Sequence, residues 1–119
     1  MGKINMEIKK IIICNEPETK ETITCDTEDL RWELIDADNR YNFGTDEYDF
    51  EECLNNDIYN AVVCTMGYPY TEEEIDEEVE YNWVNHIDAY LNEVGCMQIV
   101  FTPHYEDRYQ YVVNVTKAA

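Results

Sequence analysis

At 119 residues, with 45% hydrophobic and 13% aromatic content, the chain is long enough for one packed domain and too apolar to be disordered. Lys and Arg number 8 against 27 Asp and Glu, and the net charge of -19 argues against nucleic acid or an anionic membrane as a direct ligand and for a basic partner. Cys14, Cys25, Cys53, Cys64 and Cys96 are widely spaced with no CxxC pair, and no run is apolar enough for a signal peptide or membrane helix, so the expectation is a soluble protein of a reducing cytoplasm.

Residues 3–14, KINMEIKKIIIC, alternate apolar and polar and then run into Ile11, Ile12 and Ile13, which predicts a strand entering the middle of a sheet. NEPETKE, with Pro17 and its charges, predicts a loop before a short second strand, Thr22 to Cys25. Asp26 or Thr27 can cap a short helix whose Leu30, Leu34 and Ile35 share a face, ending near Ala37. Asp38 to Asp49 collects turn formers and reads as an exposed loop. A second helix from about Asp49 to Met66 carries Phe50, Leu54, Ile58, Ala61, Val62 and Met66 at helical spacing, stopped by Gly67 and Pro69.

The strongest helix signal lies at Thr71 to Gly95. Thr71 with Glu74 forms a capping box, Tyr70 is placed to staple onto Ile75, and Gly95 suits the left-handed position after the last turn. Ile75, Val79, Trp83, Ile87 and Leu91, joined by Tyr90 and Val94, make an apolar stripe along one continuous helix of residues 72–94. Glu74, Glu77, Glu78, Tyr81, Asn85, Asp88 and Asn92 point away from it. Like charges at Glu73/Glu77 and Glu74/Glu78 each cost roughly 0.2–0.5 kcal/mol, so local stability does not account for them. MQIVFT and RYQYVVNVT, joined by Pro103 to Asp107, read as a closing hairpin. The whole predicts an α+β fold: a four-stranded antiparallel sheet made of two terminal hairpins, with three helices from the middle of the chain on one face.

No Lys or Arg occurs from residue 41 to residue 107, the interval that also holds the densest acid. Bland explanations come first for the remaining features. Asp36 and Asp38 resemble the start of a calcium loop, but Arg40 and Tyr41 stand where a ligand and a glycine are needed. Cys53 or Cys96 with His86 or His104 has no catalytic motif around it, a buried cysteine is ordinarily a small apolar residue, and His86 falls within the apolar stripe as a boundary histidine. Tyr41, Phe43, Tyr48, Tyr68, Tyr70 and Tyr81 either lid the core with the hydroxyl in water or anchor an interface.

Unneutralised carboxylates on successive helical turns, about 5.4 Å apart, approximate a row of phosphates. In its size, its charge and its acidic segments at Asp46 to Glu52 and Glu72 to Glu80, the chain resembles the small acidic phage proteins that block host defence nucleases, the anti-CRISPR and anti-restriction DNA mimics. The resemblance implies a non-enzymatic inhibitor, needing neither cofactor nor metal, that docks into the basic nucleic-acid groove of a CRISPR effector or restriction nuclease in the host cytoplasm. The candidate contact residues are Asp46, Glu47, Tyr48, Asp49, Glu51 and Glu52 at the start of the second helix. They continue with Tyr70, Glu72, Glu73, Glu74, Asp76, Glu77, Glu78, Glu80 and Tyr81 around the start of the long one. An immunity protein against a toxin nuclease needs the same surface, and a small enzyme using a cysteine or carboxylate in a cleft is the alternative from another class.

Overall fold

A computed structural model describes residues 2–12, 17–41, 54, 56–63, 71–101 and 109–118. Strands β1 (Lys3–Ile12), β2 (Glu18–Asp26), β3 (Cys96–Phe101) and β4 (Tyr109–Lys117) form one antiparallel sheet in the order β2-β1-β4-β3. A 3-10 turn at Thr27–Asp29 leads into α1 (Leu30–Tyr41); α2 comprises residues 54 and 56–63, and α3 is Glu72–Glu93. The sheet is thus two hairpins from the chain ends, joined through β1 and β4, and the helices come from the middle of the chain.

Alternation decides which face is covered. Ile4, Met6 and Ile8 of β1 are buried, as are Tyr111, Val113 and Val115 of β4 and Met97, Ile99 and Phe101 of β3. They form one cluster with Leu30, Leu34 and Ala37 of α1, Leu54, Ile58 and Val62 of α2, and Ile87 and Leu91 of α3. Residues of the opposite parity, such as Asn5, Glu7, Gln98 and Asn114, lie across from one another on the other face. There Gln98 Nε2 donates to Asn114 Oδ1 at 3.0 Å, a cross-strand pairing suited to water contact.

The central position of β1, between β2 and β4, accounts for its late run of isoleucines. β2 is longer than the sequence predicts: Glu18 to Glu21, expected in a loop, pair with β1, with the register shifting between Ile8 and Lys9 so that Lys20 is the extra residue. Charge and a nearby proline mark loops only on average, and here a long partner strand supplies the ladder that local preference does not. α1 likewise runs past Ala37 to Tyr41. Its last turn is held from outside, by Arg40 pairing with Glu21 of β2 and by the Tyr111 hydroxyl donating to the Tyr41 carbonyl at 3.3 Å.

The expected cap of this region is also different. Asp26 occupies the N-cap of the 3-10 turn with no side-chain cap bond. Thr27, fully buried, turns its hydroxyl to the Gly2 carbonyl at 3.1 Å and to Asp88 of α3. The Gly2 amide donates to the other Asp88 oxygen at 3.4 Å. Asp88 is therefore a half-buried tie between the chain start and α3 rather than one of the outward carboxylates of the long helix.

The middle helix is described over residues 54 and 56–63; its predicted flanks, including Phe50 and Met66, lie outside the described residues. α3 has both bonds of the capping box, each 3.2 Å, and Gly95 takes φ +95° after the C-cap Val94. It is not one continuous helix, however. Asn82, with φ -130° and ψ 19°, kinks it, at a residue of modest helix propensity where the acidic half gives way to the half that packs on the sheet. Trp83 and Tyr90 lie partly buried against the core beside Ile87 and Leu91, whereas Val94 is 54% exposed and does not belong to the stripe. The side chains of Ile75 and Val79 lie outside the described residues.

Candidate functional site

The sheet order and helix packing turn a sequence asymmetry into a spatial one. Lys3, Lys9 and Lys10 stand on β1, Lys20 on β2, Arg31 and Arg40 on α1, which packs on β2, and Lys117 at the end of β4, where it and Lys3 border a groove shared with Asp88, Leu91 and Asn92 of α3. The helix α3 packs on β3 and β4, and neither α3, β3 nor the described part of α2 contains a Lys or Arg. The cations that do exist are drawn into local contacts. Lys9 Nζ lies 3.3 Å from Glu7, Lys20 Nζ 3.0 Å from Glu18, and Lys10 Nζ 4.2 Å from the centre of the Tyr109 ring. Exposed pairs of this kind add little stability, but they leave less positive charge to neutralise the acids elsewhere.

In the first turns of α3, Glu73, Glu74 and Glu77 are exposed. Glu73 and Glu77 are one turn apart with no described cation nearby, as a docking array requires. Glu74 is occupied in capping the helix, its carboxylate accepting from the Thr71 amide at 3.2 Å. Glu72, Asp76, Glu78, Glu80 and Tyr81 are on the same helical segment, with side chains outside the described residues. Asp46, Glu47, Tyr48, Asp49, Glu51, Glu52 and Tyr70 lie wholly outside them.

Of the aromatics Tyr41, Phe43, Tyr48, Tyr68, Tyr70 and Tyr81, Tyr41 is the one whose side chain is described, and it packs against the core. Its hydroxyl donates to the Glu21 carboxylate, which also accepts from Arg40. Burial works to raise the Glu21 pKa, but the bonds from Tyr41 and Arg40 outweigh it and hold the carboxyl below its usual value. The same bond raises the Tyr41 phenol.

Two features, at opposite flanks of the sheet, are absent from the sequence-based expectations. Trp32 projects from α1 with 62% of its surface exposed. It lies two residues from Leu30 and Leu34, about 200° around a helix from either, so the wheel contains the signal. The other is a groove of about 370 Å³ lined by Asp57, Asn60 and Ala61 of α2, Tyr90 of α3 and residues 97–100 of β3. Asp57 is half-buried there with no hydrogen-bond or ionic partner among the described residues, and burial pushes its carboxyl up to about 6. On the wheel Asp57 flanks Ala61 and Leu54, which is legible as an acid at the edge of an apolar stripe.

The chemistry available to cysteines points away from an activated nucleophile where it is described. Burial, with help from Glu33, Asp29 and Asp26, pushes the Cys25 thiol up to about 11, so at neutral pH the thiolate is scarce. Cys96 is exposed on β3, and His86 is half-buried, as a boundary histidine should be. Among the described residues, neither the β3 groove nor a second one, between the start of β1 and Asp88, Leu91 and Asn92 of α3, has a cysteine or histidine in its wall. Among the described residues no group of His, Cys, Asp and Glu is arranged to hold a metal, and no helix is long and apolar enough to cross a membrane. Compared with known proteins, the chain matches no family model, no curated protein and no solved structure.

Proposed function

We propose that the protein is a non-enzymatic inhibitor that uses the acidic start of α3 to occupy the nucleic-acid groove of a basic protein, a CRISPR effector or restriction nuclease. The observation that carries this reading is the uneven distribution of charge: exposed Glu73 and Glu77 stand at the start of a helix without a Lys or Arg, while six of the seven described lysines and arginines lie on β1, β2 and α1, with Lys117 at the far end of β4. Charge used only for solubility has no need to be sorted in this way. Sorted charge gives an oriented field that speeds encounter with a basic surface and rejects polyanions.

The test is a paired reversal, Glu73→Lys with Glu77→Lys, which spares the Glu74 cap. The variant should fold as well as the parent or better, because the repulsion between these two side chains is worth roughly 0.2–0.5 kcal/mol. Capture of a nucleic-acid-binding protein from a host lysate should nevertheless fall, and DNA or guide RNA should compete with the parent chain for that protein. Undiminished capture by the folded variant would show that these acids serve solubility alone.

A further inference from the structure

The two edges of the sheet are built differently. β2, at one edge, carries Glu18, Lys20, Glu21 and Asp26 and a register shift, the devices by which proteins keep an edge from pairing with another chain. β3, at the other edge, has no charge, no proline and an unbroken register from Cys96 to Phe101. Among the described residues no strand pairs with its outer side. That outer side is not flat against solvent: four consecutive residues, 97–100, form one wall of the groove whose other walls are α2 and α3.

We propose that the outer edge of β3 is a docking site for an extended, cationic segment of a partner protein, which adds to the sheet as a fifth strand and sets a Lys or Arg against Asp57. Backbone pairing would supply affinity, and alternate side chains would supply selectivity. Side chains on the helix-facing side of such a strand enter the groove between Tyr90 and Ala61, while those on the other side lie beside Gln98 and Val100. Charge selects the occupant. A second copy of this chain pairing through its own β3 would bring two Asp57 carboxylates and two chains of net charge -19 together, whereas a Lys or Arg supplies a counter-ion that no described residue gives Asp57. A half-buried carboxylate with no counter-ion among the described residues carries a desolvation cost that an incoming cation relieves. The inference stands apart from the acidic array of α3, which is a different surface and is tested by different variants.

The probe is a short acetylated and amidated peptide of alternating valine and threonine with one central lysine, titrated into the isotope-labelled full chain and followed by amide NMR. A form of the same peptide N-methylated at every residue carries the same charge but presents no edge able to pair. The expected result is perturbation centred on residues 96–101 and Asp57, lost with the methylated form. Asp57→Asn should weaken binding by about tenfold, as loss of a desolvated charge pair does. The proposal is overturned if the peptide does not bind, if the methylated form binds equally, if perturbations follow the acidic turns of α3, or if β3 amides shift with protein concentration alone, which would signify self-pairing. Equal binding by parent and Asp57→Asn would overturn the assigned role of that carboxylate.

Discussion

Replacing Asp57 by Asn removes an ionised group from a place that disfavours it. Burial raises the carboxyl from 3.8 to about 6, and a pKa unit corresponds to about 1.4 kcal/mol, so a fully enclosed group would cost roughly 3 kcal/mol at neutral pH. Asp57 borders an open groove and is only half-buried. Solvent screening therefore reduces the expected gain from the substitution to about 1 kcal/mol, or about 4 °C in Tm for a chain of this size. The sign follows from linkage. Below the ordinary value both folded and unfolded states carry the proton and Asp57 costs nothing, while above about 6 both have lost it and the full penalty applies. The advantage of Asp57→Asn over the parent should accordingly be complete at pH 7.5 and shrink as the pH falls below about 6. Urea unfolding of both proteins across that range, kept above the isoelectric point of about 4.1, measures it. An advantage independent of pH, or a loss of stability at every pH, would refute the reasoning, the latter by showing that the carboxylate accepts a structural hydrogen bond.

Gly95→Ala should destabilise by about 1–2 kcal/mol in the same assay: φ is +95° and nothing lies within 4 Å of an added Cβ, so the cost is purely conformational. Thr27→Val keeps the buried shape but removes the hydroxyl that serves the Gly2 carbonyl and Asp88, and should cost about 1–2 kcal/mol and loosen hydrogen-exchange protection at Gly2 and in the Asp88 turn of α3. A neutral result would mean that water takes over both bonds.

The sheet and its helices are legible because alternation in KINMEI, MQIVF and YVVNV and the four-residue spacing of Trp83, Ile87 and Leu91 are written in single segments. What sequence misplaces depends on partners from elsewhere in the chain. Residues 18–21 become strand only because β1 reaches that far, and α1 continues to Tyr41 only because Glu21 and Tyr111 hold its end. Its angle alone puts Asp88 on the outward face, since a wheel knows nothing of Thr27 and Gly2. The exposure of Glu73 and Glu77 and the cation-poor flank follow from composition, but the β3 groove does not. It requires knowing that β3 takes an edge and that α2 lies over it, and no local pattern states which strand will be outermost.

The pairing of β1 with β4 has a consequence for how the protein comes into being. Ile4 lies opposite Lys117, and the Ala118 amide donates to the Lys3 carbonyl at 2.9 Å, so the middle of the sheet is stitched from opposite ends of the chain. Each hairpin needs only a short loop to close, but joining the hairpins closes the long segment 27–95 between them and carries the largest entropic cost. A ribosome must release residues 109–117 before β1 gains its second neighbour. Until then the apolar faces of the first hairpin, of β3 and of the helices lack the completed sheet, and during that interval the heavy negative charge has a second use, keeping nascent chains apart by mutual repulsion.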